Sequence, residues 1–400
     1  MTRYASIFIF LHVLFQLSLA QSNCTRLFHS AVVNNQTLFI DGGEMHTLLP
    51  NGTIITFAIT DLETIDLSKS WQNSDPGLFN YIAKPWNASD PADYPPYLNE
   101  GASFSNGESL FFYGGYSSGW GGPPIPPLAT WKYDIANNNW TRDGFWGVPL
   151  VRLTQGGAVQ SSVDKKAYYL SGTLNPAGNP VFYGTPGADT YMTPGLITLD
   201  MNTLEWTNAS TTDMDTFGTI GDGYMSLIES VGDQGLIVAF GGYTYPVGEK
   251  ISFLAARQNE TTHRNSMEFV RVYDIANRKW YTQQTTGDIP RWRMAGCTVV
   301  VASDDLSSYS MYGTNDRGIR RGRLRPLPTL FPMDPSLPRQ HYPVQAQMPA
   351  GAKAYHAGYW RNYSHRRDGV LSPVTKLRHC DLRQRHRHIR PANSVLENKL

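Results

Sequence analysis

One octapeptide recurs along this chain at long intervals, and it limits the folds open to it. Tyr133-Asp134-Ile135-Ala136-Asn137-Asn138-Asn139-Trp140 returns as Tyr273-Asp274-Ile275-Ala276-Asn277-Arg278-Lys279-Trp280, with six of eight positions unchanged. Leu199-Asp200-Met201-Asn202-Thr203-Leu204-Glu205-Trp206 is a looser copy, and Ile65-Asp66-Leu67-Ser68-Lys69-Ser70-Trp71 a fourth. Self-similarity at this period marks an architecture built from repeated supersecondary units. Before each copy lies an apolar run ending in glycine: Leu38 to Gly42-Gly43, Leu110 to Gly114-Gly115, Tyr168 to Ser171-Gly172, and Leu236 to Gly241-Gly242. Four to six β-prone residues form a buried strand. The glycine pair lets the chain turn through positive φ and lets backbones approach closely. Earlier still comes a small-residue strand start, as at Gly101-Ala102-Ser103, Gly157-Ala158-Val159 and Gly223-Tyr224-Met225. Such a four-stranded unit cannot bury both faces alone, whereas units stacked around an axis can.

The pattern of glycine pair, Tyr and then Trp six or seven residues on resembles the kelch repeat. The resemblance covers roughly residues 28–313, with Gly42, Gly43, Trp71, Gly114, Gly115, Tyr133, Trp140, Gly172, Trp206, Gly241, Gly242, Tyr273 and Trp280 as its structural marks. It implies an all-β, kelch-type propeller of four-stranded antiparallel blades at 28–71, 99–140, 155–206 and 222–280, with a partial fifth at 293–313. These units exceed the ~50 residues of a kelch unit, so the excess must lie in loops. Ser171-Gly172 departs from the glycine pair and puts the third turn's geometry in doubt. The layout is similar to fungal signal-peptide kelch proteins, which as a group often add more blades, a membrane span and a cytoplasmic tail.

The fifth unit reaches Tyr309-Ser310-Met311-Tyr312-Gly313 and then loses the pattern. Residues 1–314 hold 17 Lys+Arg against 28 Asp+Glu, while 315–400 hold 17 against 5, with six of the ten His and nine of the 26 Pro. Three readings of 314–400 compete: a basic arm for anionic polymers or membranes, a disordered tail, or a mis-translated segment from a frame or splice error. The broken repeat favours the last, and with it an incomplete ring. The late histidines, among them His379, His386 and His388, are discounted with this segment.

Residues 1–20 read as a signal peptide: Arg3, an apolar Ile7 to Leu19, and Ser18-Leu19-Ala20 before the cut. The apolar run is shorter than the ~20 residues of a membrane span. Sequons at Asn23, Asn35, Asn51, Asn87, Asn139, Asn208, Asn259 and Asn362 agree with a secreted glycoprotein. Cys24, Cys297 and Cys380 form no CxxC pair, so no zinc site is expected. Whether Cys24 and Cys297 pair is left open.

Function is expected in the loops between second and third strands, about 44–53, 116–130, 173–196 and 243–268. Their aromatics Tyr116, Trp120, Tyr183, Tyr191, Tyr243 and Tyr245 are the candidate contacts. The competing reading is that they pin their own loops. His29, His46 and His263 are isolated, so no metal or other cofactor is expected. No Gly-x-Ser-x-Gly elbow, His-Glu-x-x-His or P-loop occurs, and an enzyme is not expected. The expectation is therefore a secreted repeat protein binding an extracellular protein or a cell-wall glycan, with no nucleic acid partner and no membrane span in this chain. The resemblance also implies an alternative, a galactose-oxidase-like copper enzyme that lost or never had its site. That class needs two Tyr, two His and a Cys cross-linked to Tyr.

Overall fold

The computed structural model describes residues 23–49, 51–72, 75–85, 94–118, 125–143, 150–179, 189–251, 263–287, 289–296, 298–302 and 309–313, and two short strands at 363–365 and 371–373. Among these residues there is no α-helix. The first blade is β2 (Ser30–Asn34), β3 (Thr37–Asp41), β6 (Leu62–Asp66) and β7 (Asn80–Ile82). The second is β8 (Asn99–Ser105), β9 (Ser109–Tyr116), β10 (Thr130–Asp134) and β11 (Asn139–Asp143). The third is β13 (Gly157–Gln160), β14 (Lys166–Leu170), β17 (Leu196–Asp200) and β18 (Trp206–Ala209). The fourth is β19 (Tyr224–Ile228), β20 (Leu236–Phe240), β22 (Phe269–Asp274) and β23 (Lys279–Gln284). A half blade follows, β24 (Thr298–Ala302) with β25 (Tyr309–Gly313).

The inner strands β2, β8, β13, β19 and β24 stand side by side in that order, the arrangement of a β-propeller. Small polar side chains join them across the blades. Ser30 and Ser103 share a hydrogen bond of 2.5 Å, the Ser105 hydroxyl donates to Asn34 at 3.1 Å, and Ser226 donates to Thr298 at 2.8 Å. The glycine pairs adopt the positive φ their sequence anticipates, 78° and 94° at Gly114-Gly115. Ser171-Gly172 makes the same turn with φ of 52° and 106°. A serine in that region is strained. Here the Ser171 backbone N–H donates to Gly195 at 2.8 Å and its hydroxyl to Thr193 at 2.7 Å, which holds the turn.

The repeated Asp closes the turn between third and fourth strands. Asp134 Oδ1 accepts from the Asn137 N–H at 2.9 Å, Asp274 from Asn277 at 3.0 Å, and Asp200 from Asn202 at 3.0 Å. This is the side-chain turn that suits Asp. The pairing then sets Tyr133 opposite Trp140, Leu199 opposite Trp206 and Tyr273 opposite Trp280. Blade one differs. There β6 pairs with β7 as Thr64 to Asn80, and the same register sets Phe79 opposite Ile65. Phe79, 8% exposed, takes the place that spacing assigns to Trp71. Trp71 lies outside any strand and packs, half-buried, beside Leu38, Ile40 and Ile65.

The core is a set of slabs between neighbouring blades. One joins Val32, Phe39 and Leu62 of blade one to Leu110 and Tyr133 of blade two, with Trp140 against it. Another joins Phe104, Phe111 and Tyr113 to Tyr169, Ile197, Leu199 and Trp206. A third joins Tyr168, Leu170 and Leu196 to Met225, Ile237, Tyr273 and Trp280. Each large side chain so buried contributes roughly 1.5–3 kcal/mol.

Each indole meets the third strand of the blade before it. Trp206 Nε1 donates to Thr130 Oγ1 at 2.8 Å, and Thr130 is the first residue of β10. The corresponding positions in β6 and β17 are Leu62 and Leu196, which offer no side-chain acceptor. The indole N–H groups of Trp140 and Trp280 are buried without a hydrogen-bond partner. Thr130→Val keeps the shape and removes the acceptor. It is expected to lower unfolding stability by about 1–2 kcal/mol in urea titration, with an unchanged m-value.

Candidate functional site

The inserted loops fold into sheets of their own. In the first blade the insert forms β4 (Glu44–Leu48) and β5 (Ile54–Ala58), with β1 (Asn23–Leu27) on the other side of β4. In the third blade it forms β15 (Thr173–Leu174), a 3-10 turn at Pro176–Gly178 and β16 (Thr190–Met192). The fourth blade supplies β21 (Lys250–Ile251), and β12 (Leu153–Thr154) completes a sheet in the order β12-β15-β16-β21. Thr173 pairs with Thr154 on one side and Met192 on the other, and Thr190 pairs with Ile251. Neighbouring blades therefore share one small platform. Two further short strands, β26 (Tyr363–His365) and β27 (Leu371–Pro373), pair with each other.

Below the platform a repeated backbone feature surrounds the start of the inner strands. Phe28, Glu100, Gln155, Asp222 and Ala295 all have φ between 50° and 64°. Non-glycine residues seldom adopt that region. The N–H of Glu100 donates to the Phe28 carbonyl at 2.8 Å, that of Asp222 to Gln155 at 2.7 Å, and that of Ala295 to Asp222 at 2.8 Å. Successive blades are thus stitched together through strained residues. Between blades three, four and five a crevice opens, lined by Gln155, Gly156, Asp222, Gly223, Ala295 and Thr298 among others.

Side chains fix the platform to this ring. Gln155 Oε1 accepts from the Tyr243 hydroxyl at 2.8 Å and from Thr173 Oγ1 at 3.3 Å. Buried Arg152 donates to the Gly178 carbonyl at 3.0 Å and the Pro126 carbonyl at 3.1 Å. That ties the inserts of blades two and three together. Desolvation pulls the Arg152 pKa down to about 10, which keeps it cationic at neutral pH. Toward solvent, Tyr245 stacks on His263 at 3.9 Å, and the Arg264 guanidinium lies 4.5 Å over the Trp292 ring. Trp292 Nε1 donates to the Gly242 carbonyl at 2.7 Å. Arg264 and Arg291 are exposed beside it.

The candidate aromatics separate into groups. Tyr243 and Tyr245 are 3% and 7% exposed, so their rings hold the blade-four insert and present little to a ligand. Tyr116 and Tyr191 are half-buried, at the end of β9 and within β16. Trp120 and Tyr183 lie outside the described residues, as do Asn87, Asn259, Asn362, Cys297 and Cys380. Asn35, Asn51, Asn139 and Asn208 are exposed. Spacing alone missed Arg152, Gln155, Arg264 and Trp292. A usable signal existed, since Glu100, Gln155, Asp222 and Ala295 each precede a glycine at the start of an inner strand. Among the described residues no group of three or more His, Cys, Asp or Glu is placed to hold a metal ion. No helix among them is long and apolar enough to cross a membrane.

Burial pushes the Tyr113 and Tyr169 hydroxyls up, well above the ordinary tyrosine value. Such a group supports the fold fully below about pH 10, and that support is lost as pH climbs toward the raised value. Each contributes a slope of about 1.4 kcal/mol per pH unit. After the early rise from exposed tyrosines such as Tyr81 and Tyr281, a further rise in tyrosinate absorbance is therefore expected to coincide with loss of the fold above about pH 10. Ionisation of these tyrosines in a molecule that stays folded would contradict the burial.

No family model matches the chain. A "Kelch repeat-containing protein" of Arthroderma benhamiae (strain ATCC MYA-4681 / CBS 112371) is 25% identical over 327 residues, covering 72% of this chain and 44% of that protein. The chain thus spans less than half the length of the curated relative it matches. The solved structure of YjhT aligns over 73% of both chains, at 13% identity and a TM-score of 0.43. Four-stranded antiparallel blades, glycine-pair turns and opposed Tyr–Trp pairs define the fold class, a kelch-type β-propeller. Within that class the chain carries two accessory sheets built largely from its inserts.

Proposed function

We propose that this chain is a secreted scaffold that binds an extracellular protein or a cell-wall glycan through its insert-bearing face, without catalysis of its own. The observation that supports this most is the shared platform of blades three and four. Its four strands come from three separate chain segments, locked by Arg152 and Gln155, with Arg264, Arg291 and Trp292 at its border. A rigid framework bordered by exposed arginines and a half-buried tryptophan is a usual form of a recognition surface. The first blade adds a second insert sheet.

The test is binding of the secreted, purified chain to cell-wall fractions and to the extracellular proteome of its source, with and without Arg264→Glu and Arg291→Glu. Both side chains are exposed, so the fold is expected to persist. Affinity is expected to fall about tenfold or more, that is ~1.4 kcal/mol or more. Equal binding by the substituted chain would remove this face from the reading. Stoichiometric copper with oxygen uptake on simple alcohols would overturn the non-catalytic reading itself.

A further inference from the structure

We propose that the β4–β5 hairpin carries an N-linked glycan on Asn51 whose first sugars cover the apolar pair Leu48 and Ile54. This rests on the secretory reading above. Leu48 and Ile54 are cross-strand partners, yet they are 42% and 62% exposed. Side by side they form a small exposed apolar patch that a covering group would take out of water. A cover matters more here because, among the described residues, β5 borders only β4 and is an edge strand, the kind that invites pairing with another chain.

The turn between them holds the sequon Asn51-Gly52-Thr53, all three residues exposed. Leu49 N–H donates to the Thr53 carbonyl at 2.8 Å, and Gly52 N–H to the Leu49 carbonyl at 2.9 Å, so the tip is a formed loop. The Thr53 N–H donates to Asn51 Oδ1 at 3.0 Å. Attachment uses the other amide atom. The Asn51 Nδ2–C1 bond forms, and the bond from C1 to the lipid pyrophosphate of the donor oligosaccharide breaks. The lipid pyrophosphate departs with the electron pair, and one proton leaves Nδ2. The Thr53 hydrogen bond to Oδ1 survives the reaction. Ile54 is three residues from Asn51, at most about 10 Å of chain away, within reach of the first sugar rings. The register also sets Asn23, in a second sequon, opposite Leu48 on the far edge.

The experiment secretes the full chain from a eukaryotic host and reads sequon occupancy by glycopeptide mass spectrometry. Asn51→Gln and Thr53→Ala are then compared with the parent for binding of a hydrophobic fluorescent dye and for self-association. Occupied Asn51, and a severalfold rise in dye binding in both variants, support the proposal. Adding Leu48→Ser and Ile54→Thr to Asn51→Gln should bring dye binding back to the parent level. A bare Asn51 beside glycan at Asn35 or Asn139 overturns this proposal alone. Glycan at no sequon overturns it together with the secretory reading. An occupied Asn51 whose removal leaves dye binding unchanged overturns the covering role.

Discussion

Gly242→Ala is expected to abolish folding, whereas Gly248→Ala, six residues on, is expected to cost only about 1 kcal/mol. Both glycines have positive φ, 69° and 82°. They differ in what a side chain would meet. A Cβ on Gly242 would lie 2.4 Å from the Gly221 carbonyl oxygen and 2.6 Å from the Gly223 Cα, both backbone atoms. A Cβ on Gly248 would meet nothing within 4 Å. Gly242 also donates to the Arg293 carbonyl at 2.9 Å and accepts from Asn265 at 3.1 Å, so it cannot shift without opening the strand-to-insert turn. The clash and the lost bonds place Gly242→Ala in the rare class above ~4 kcal/mol. Chemical denaturation of the two variants side by side measures the difference. Similar stabilities would mean that the close packing of the glycine turn is wrong.

Lys84→Met is the second large effect, with an expected loss of about 3–5 kcal/mol. The ammonium of Lys84 sits 2.6 Å from Asp41 Oδ1, with side chains 3% and 8% exposed. It also donates to the Pro96 carbonyl at 2.7 Å and lies 5.6 Å and 5.5 Å from the Phe112 and Trp140 ring centres. Desolvation holds its pKa below the usual lysine value, with Asp41 acting against that shift. Methionine keeps the stem but strands a buried carboxylate between blades one and two. Asp41→Asn combined with Lys84→Met should recover much of the loss, because the unpaired buried carboxylate is then gone. A single variant within 1 kcal/mol of the parent in urea titration would show that water already reaches the pair.

Much of this scaffold could be read from local chemistry. The apolar runs, the glycine turns and the Asp-closed turns depend on neighbours a few residues away, and their signals survive in one sequence. Trp71 shows where that logic stops. Its spacing from Ile65 fits the repeat, but the chain runs on through residues 67–78 before it pairs, and Phe79 arrives at the Trp position. Only the cross-strand register reveals this. The platform was illegible for a similar reason. β15 and β21 are two residues long, and β21 finds its partner, β16, in the insert of the preceding blade. No periodicity can mark so short a strand, and no local rule foretells a pairing across some sixty residues. The loop aromatics were found but their direction was not. Tyr243 faces inward because Gln155, on the preceding blade's leading turn, offers an acceptor there.

The joint sheet of blades three and four has a bearing on how such a surface can diversify. The strand of one insert, β16, pairs with β21 of the other across some sixty residues, so lengthening one insert would withdraw support from the other. Variation in specificity on this scaffold should therefore come by exchange of side chains on a fixed frame, or by matched changes in both inserts. Engineers grafting new recognition onto it would do best to treat 173–192 and 243–251 as one cassette.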